Sequence, residues 1–184
     1  MFRIIIIFIM LNIYNPALTA IKDDIISKMK TTNNLSFNFI QTIDNKSENG
    51  KCILKYPKKI YCEYSGANKK IVVSNGRSLV IKTNNNNNYY IYPLDRTPLE
   101  YLLDKEYLIS KIQMLEPMDI DDKYLNFKFF ENNSEINIFF DKKTLNLIGW
   151  QTEDIYQNLN ITFISSIKIN QKIDKKKFVL PKTK

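Results

Sequence analysis

GKCILKYPKKIYCEY, residues 50–64, places apolar side chains at every second position on both sides of one proline. Cys52, Leu54 and Tyr56 share one parity, and Ile60, Cys62 and Tyr64 continue it beyond the break. Lys51, Lys55 and Glu63 fall on the other face. A period of two is the signature of a strand, so a short loop at Tyr56-Pro57-Lys58 predicts an antiparallel hairpin with one apolar and one wet side.

The same pattern extends in both directions. In KKIVVSNGRSLVIKT (69–83), Asn75-Gly76 separates two apolar runs. This predicts a second hairpin whose type I′ turn takes positive φ at both residues. Asn84 to Asn88 is low in complexity and predicts a loop tip; Tyr89 to Tyr92 predicts a strand closed by Pro93. Upstream, Leu35, Phe37 and Phe39 alternate within LSFNFIQT (35–42). Beyond Pro117 come YLNFKFF (124–130), EINIFF (135–140), TLNLIGWQ (144–151), LNITFISSIKI (159–169) and a short terminal strand in KFVLPK.

Helical spacing occurs in three places. Ile21, Ile25, Ile26 and Met29 give residues 21–32 one apolar side. In DRTPLEYLL, Thr97 suits the N-cap, Pro98 the first helical position and Glu100 the reciprocal capping partner, with Leu99, Leu102 and Leu103 forming the apolar side. A further helical piece covers 105–115. About nine to eleven strands in meander order with two or three helices define an α+β domain. So long an antiparallel sheet curls, giving a half-barrel with a helical lid.

The first twenty residues, MFRIIIIFIMLNIYNPALTA, have the order of a secretory leader. Arg3 precedes an apolar run from Ile4 to Leu11, and small residues lead to Ala20. Cleavage after residue 20 is expected, leaving 21–184 as one exported domain. An oxidising compartment then permits a bond between Cys52 and Cys62, which face each other if the hairpin loop is odd in length. A disulfide staple and a pair of reduced core thiols both stay open, and either role is structural.

Much chemistry is excluded. There is no histidine, and the four glycines build no phosphate-cradling loop. Two cysteines ten residues apart make neither a zinc site nor a Cys-x-x-Cys redox pair. Asp119, Asp121 and Asp122 predict a solvated turn, as does Glu153-Asp154. No cofactor, no metal and no enzymatic activity are expected. The net charge of +8 comes from dispersed lysines in a chain rich in Ile, Asn and Lys, so nucleic acid is not an expected partner.

What remains is an apolar surplus, including Phe140, Ile148, Ile161 and Phe163. Together with the strand and helix residues above, it predicts a hydrophobic cavity only partly filled by the short helices. The candidate lining is Phe37, Phe39, Leu54, Ile60, Tyr64, Val72, Leu79, Leu99, Leu102, Leu103, Phe127, Phe129, Phe139 and Trp150. Acyl chains suit such a space, at about 0.8 kcal/mol per CH₂ removed from water.

The order of motifs resembles the periplasmic outer-membrane lipoprotein carrier protein (LolA) family. The resemblance rests on Phe39-Ile40-Gln41, Gly50 before KYPKKIYCEY, IVVSNGRSLVI (71–81), TPLEYLL (97–103), LIGWQTED (147–154) and Phe178 to Pro181. It implies an unclosed barrel of eleven strands capped by three helices, with residues 21–184 as the carrier domain. It also implies a monomeric periplasmic chaperone that takes lipoprotein acyl chains from an inner-membrane lipoprotein-releasing transporter to an outer-membrane acceptor. A lipoprotein-sensing regulator and a carrier of another amphiphile, such as a glycolipid, are the alternatives. Two positions depart from the family pattern. Tyr56 stands where an arginine linked to lid movement is common, and Cys62 where an aromatic is common; no gating role is carried onto Lys55.

Overall fold

The computed structural model describes residues 16–67, 69–83, 88–132, 134–153 and 158–182. Eleven antiparallel strands form one unclosed sheet: β1 (Asn34–Ile43), β2 (Lys46–Lys55), β3 (Lys59–Tyr64), β4 (Ile71–Asn75), β5 (Ser78–Lys82), β6 (Tyr89–Pro93), β7 (Met118–Ile120), β8 (Tyr124–Glu131), β9 (Ser134–Asp141), β10 (Leu147–Glu153) and β11 (Leu159–Ile169). Their order is β6-β5-β4-β3-β2-β1-β11-β10-β9-β8-β7. Two meanders are therefore joined where β1 pairs with β11, leaving β6 and β7 as free edges. Helices α1 (Pro16–Thr31), α2 (Leu99–Leu103) and α3 (Lys105–Met114) lie on the concave side. The expected α+β half-barrel is the observed fold.

The opening hairpin forms in the expected register. Lys55 pairs with Lys59 across the Tyr56-Pro57-Lys58 loop, which contains a cis Tyr56-Pro57 bond and a left-handed Lys58 at φ 62°. Cys52 stands opposite Cys62, and the two are joined in a disulfide. Gly50 is needed two residues further along, opposite Tyr64. A Cβ there would lie 2.2 Å from the Glu63 carbonyl oxygen and 2.7 Å from the Phe39 ring, which fills the space a side chain would take.

Four local expectations are corrected. Asn75 and Gly76 do not share a type I′ turn. Asn75 stays in β4 and its Oδ1 accepts from the Arg77 and Ser78 amides at 2.9 and 3.0 Å. Gly76, at φ 101°, therefore takes the first central position of the turn, where only one positive φ is required. The capping box at Thr97 does not form either. Leu94–Arg96 is a 3₁₀ turn, and the Thr97 hydroxyl donates backward to the Leu94 carbonyl at 2.8 Å.

The strand expected from Thr144 begins instead at Leu147. The Asp141 carboxylate accepts from the Thr144 amide and hydroxyl, both at 2.6 Å, and Leu145 turns at φ 57°. The terminal KFVLPK forms no strand among the described residues. Lys175–Phe178 is a 3₁₀ turn capped by Asp174, and its buried Phe178 packs onto the convex side of β3 and β4. Val73 and Val80 are buried on that face while their neighbours Val72 and Leu79 point to the main core. A second, smaller apolar layer thus holds the C-terminal segment to the back of the sheet.

Short β7 was missed because Met118-Asp119-Ile120 offers only three residues between Pro117 and an acidic turn. The turn is solvated as expected, with Asp119 and Asp122 both bound to Lys142. Helix α1 starts at Pro16, a residue suited to a first turn, and so crosses the expected cleavage point. The hydrophobic run of the leader, most of the asparagine loop tip and Asp154 lie outside the described residues.

Candidate functional site

The concave face is built by alternation. Phe37 and Phe39 of β1, Leu54 of β2, Ile60 of β3, Leu79 of β5, Phe127 and Phe129 of β8 and Trp150 of β10 are all buried there. Leu102 and Leu103 of α2 are buried against them, with Leu108, Ile109 and Ile112 of α3 and Ile25, Ile26 and Met29 of α1. Tyr64, Val72 and Leu99 are partly buried and pack on the same cluster. Thirteen of the fourteen expected lining residues therefore converge on one apolar core beneath the helices.

Phe139 is the exception. Ile138 and Phe140 beside it enter the core, so Phe139 points to the convex face, opposite Asn126 and Gly149. The choice between Phe139 and Phe140 is a one-residue question of strand phase, which an uninterrupted Ile-Phe-Phe run does not settle.

In this conformer the helix side chains fill the hollow. A cleft of about 30 Å³ opens near its rim, lined among others by Met29, Leu35, Leu108, Phe140, Leu147 and Ile167. None of the fourteen expected residues lines it. Ligand pockets measure roughly 300–1,000 Å³. A bulky apolar guest therefore enters only if the helices move away from the sheet.

Polar contacts that hold the helices sit at the perimeter. Lys58, at the tip of the β2–β3 loop, places Nζ 2.6 Å from Glu100 Oε1 and 3.3 Å from Asp104 Oδ2. Its amide donates to the Leu103 carbonyl at 2.8 Å. The loop is braced from behind by the fully buried Ser74, whose hydroxyl donates to the Lys58 carbonyl at 2.8 Å. The hydrogen bond with Glu100 raises the Lys58 pKa above 10.5, so this cation is fixed at neutral pH. Tyr56, on the other side of Pro57, stays neutral because burial pushes its phenol up.

Helix α3 has its own tether. Glu131, at the end of β8, accepts from Lys111 and from the Tyr107 hydroxyl, and the Lys111 bond holds its carboxyl below the usual range. Lys105 Nζ donates to the Lys30 and Thr32 carbonyls at 3.1 and 3.2 Å, joining α3 to the end of α1. Lys22 of α1 reaches Glu116 at 3.0 Å. No local pattern signals these pairs, because each joins residues far apart in the chain. Glu100 looked spoken for as a cap, which hid its real partner.

Among the described residues no group of three or more acids and cysteines is placed to hold a metal, and no helix is long and apolar enough to cross a membrane. A half-barrel with helices fastened at the rim over an apolar concave face is the architecture of a lipid- or lipoprotein-binding carrier. The chain belongs to the LolA family: the model of the outer membrane lipoprotein carrier protein LolA matches residues 30–181.

Solved structures share this fold at low identity. MucB aligns with a TM-score of 0.52 at 8% identity, over 91% of this chain and 64% of its own. LprF from Mycobacterium bovis aligns with a TM-score of 0.50 at 11% identity, over 87% of this chain and 96% of its own. A LolA superfamily protein from Nitrosomonas europaea aligns with a TM-score of 0.48 at 9% identity, over 89% and 97%. No curated protein matches the chain by sequence.

Proposed function

We propose that this protein is a periplasmic carrier of lipoproteins, holding their acyl chains between the concave sheet and helices that swing aside to admit them. Residues 1–20 would be removed on export and residues 21–184 would act as a monomer. The observation that carries the reading is the convergence of thirteen expected apolar residues on one helix-covered face, in a chain matched to the carrier family over residues 30–181. The sheet is one continuous hydrogen-bonded unit, whereas α2 and α3 are short and fastened largely by side chains. Opening by helix movement therefore exposes the core at the least cost in backbone hydrogen bonds.

In this reading an inner-membrane lipoprotein-releasing transporter loads the carrier and an outer-membrane acceptor unloads it. Binding and release need no bond chemistry in the carrier, consistent with the residues available. Each methylene transferred out of water contributes about 0.8 kcal/mol, enough for tails to replace the helix side chains as core filling.

The test is release of membrane-anchored lipoproteins from spheroplasts. The purified mature protein should move them into the soluble fraction. No release beyond a mock-treated control overturns the lipoprotein assignment, and binding of a glycolipid in the same preparation would then identify the other amphiphile.

A further inference from the structure

The convex face, which the carrier reading does not use, combines two features. The first is charge. Residues 168–182 hold six lysines against the single acid Asp174, a net +5 of the chain's +8. Phe178 pins this segment to the back of β3 and β4, so the lysines are displayed on the sheet. Lys168, Lys172, Lys175 and Lys176 are exposed, and Lys51 of β2 is exposed beside them. Lys177 covers the Tyr61 ring at 4.5 Å and meets Glu63 at 3.4 Å, so the β3 acid on this face is already paired.

The second feature is apolar. Ile40 and Phe163 face each other across β1 and β11 on the convex side, 56% and 55% exposed. Along β1 the convex positions are Ser36, opposite Lys168; Asn38, opposite Lys51; and Ile40. Two strand steps thus connect the lysines to the apolar pair. Gly149, opposite Phe163 on this face, has no room for a side chain: a Cβ there would lie 2.4 Å from the Thr162 carbonyl oxygen and 3.3 Å from the edge of the Phe163 ring, so a bare strand position flanks the exposed ring.

From this juxtaposition we propose that the convex face docks onto an anionic lipid bilayer, with the lysines on headgroups and Ile40 and Phe163 at the acyl boundary. A basic rim around exposed apolar side chains is the pattern of interfacial membrane binding. The patch is all lysine, a residue depleted from protein interfaces, where arginine is favoured. A second copy would bring the same positive charge and be repelled. Docking by this face leaves the helices and the concave side free, so cargo exchange and surface attachment do not compete.

The experiment is co-sedimentation of the mature protein, residues 21–184, with phosphatidylglycerol vesicles, against phosphatidylcholine vesicles. Binding should be confined to the anionic vesicles. It should disappear as salt rises from about 0.01 M to about 1 M, where the Debye length falls from about 30 Å to about 3 Å. Lys172→Glu, Lys175→Glu and Lys176→Glu together should weaken binding about a hundredfold or more, from roughly fivefold per lysine. Ile40→Gln should weaken it about tenfold.

A control reversing Lys30, Lys123 and Lys143 has the same net charge but leaves the convex face intact, and it should bind far better than the first triple variant. Circular dichroism checks that each variant is folded. Equal loss in both triple variants would reduce the effect to net charge and overturn the proposal, as would equal sedimentation with neutral vesicles or none with anionic ones. Retention on immobilised polyglutamate without vesicle binding would assign the patch to an acidic protein instead. Spheroplast release is read separately, so failure of docking and failure of the carrier reading are distinguishable.

Discussion

Lys58 Nζ lies 2.6 Å from Glu100 Oε1, and this contact ties the tip of the β2–β3 hairpin to helix α2. The pair bridges the sheet and a helix that would have to leave it for the core to open. Its partners keep 31% and 19% of their side-chain surface, so its net worth is that of a partly screened ion pair, about 1 kcal/mol at most.

Lys58→Met should therefore cost about 1 kcal/mol in urea unfolding. It should also speed amide exchange in residues 99–103 and uptake of a fluorescent fatty-acid probe. The pH sign follows from the raised pKa: the contribution is complete below 10.5 and is lost as pH rises through the higher folded value. Unchanged exchange in α2 would show that the pair does not hold the helix.

Glu131 governs the acid side. Its carboxyl is held below 4.5 first by Lys111 and then by Tyr107, both on α3. A depressed carboxyl stabilises the fold above its unfolded pKa and loses that contribution as pH falls through the lower folded value. Glu131→Gln should lower stability at neutral pH. Its deficit relative to wild type should shrink as the pH drops below 4.5. A deficit that stays constant with pH would assign the effect to packing.

The hairpins were legible because strand phase is written locally, in the alternation of Leu54, Ile60 and their neighbours. The order within each half of the sheet followed once each hairpin was in place, but the single meander expected is in fact two, joined by the pairing of β1 with β11, which brings Leu35 beside Ile169 and has no local signal. The perimeter was not legible. Lys58 and Glu100 are 42 residues apart, and Lys111 and Glu131 meet only because α3 folds back over β8. Phe139 failed for a different reason, since a run of adjacent aromatics carries no phase. Nor did the sequence show how completely the helices fill the concave side, because filling depends on rotamers and helix tilt rather than on pattern.

The disulfide yields a third expectation. Cys52 and Cys62 are ten residues apart and face each other in the hairpin nearest Lys58. Closing so short a loop stabilises by about 2–3 kcal/mol, chiefly by restricting the unfolded chain. Cys52→Ala with Cys62→Ala should cost about that much, and reducing agent should lower wild-type stability without affecting the double variant. Labelling of the unfolded, unreduced protein should find no free thiol; two reactive thiols would contradict the bond.

Gly50 offers the sharpest packing test. Any side chain there meets the Glu63 carbonyl oxygen at 2.2 Å and the Phe39 ring at 2.7 Å. The ring cannot simply retreat, because it packs edge-on against Tyr64 at 4.8 Å, and the Tyr64 hydroxyl donates to Gln41 at 2.7 Å. Gly50→Ala gains a little from a stiffer unfolded chain, about 0.4–1 kcal/mol, but overpacking costs typically 1–3 kcal/mol and a backbone clash lies at the upper end. The net expectation is a loss of about 2 kcal/mol in urea unfolding. Adding Phe39→Leu should recover only part of it, since the smaller ring-free side chain relieves one contact and leaves the carbonyl. Full recovery would mean that the backbones of β2 and β3 part easily at this point, and that the sheet, rather than the helices, is the yielding side of the core.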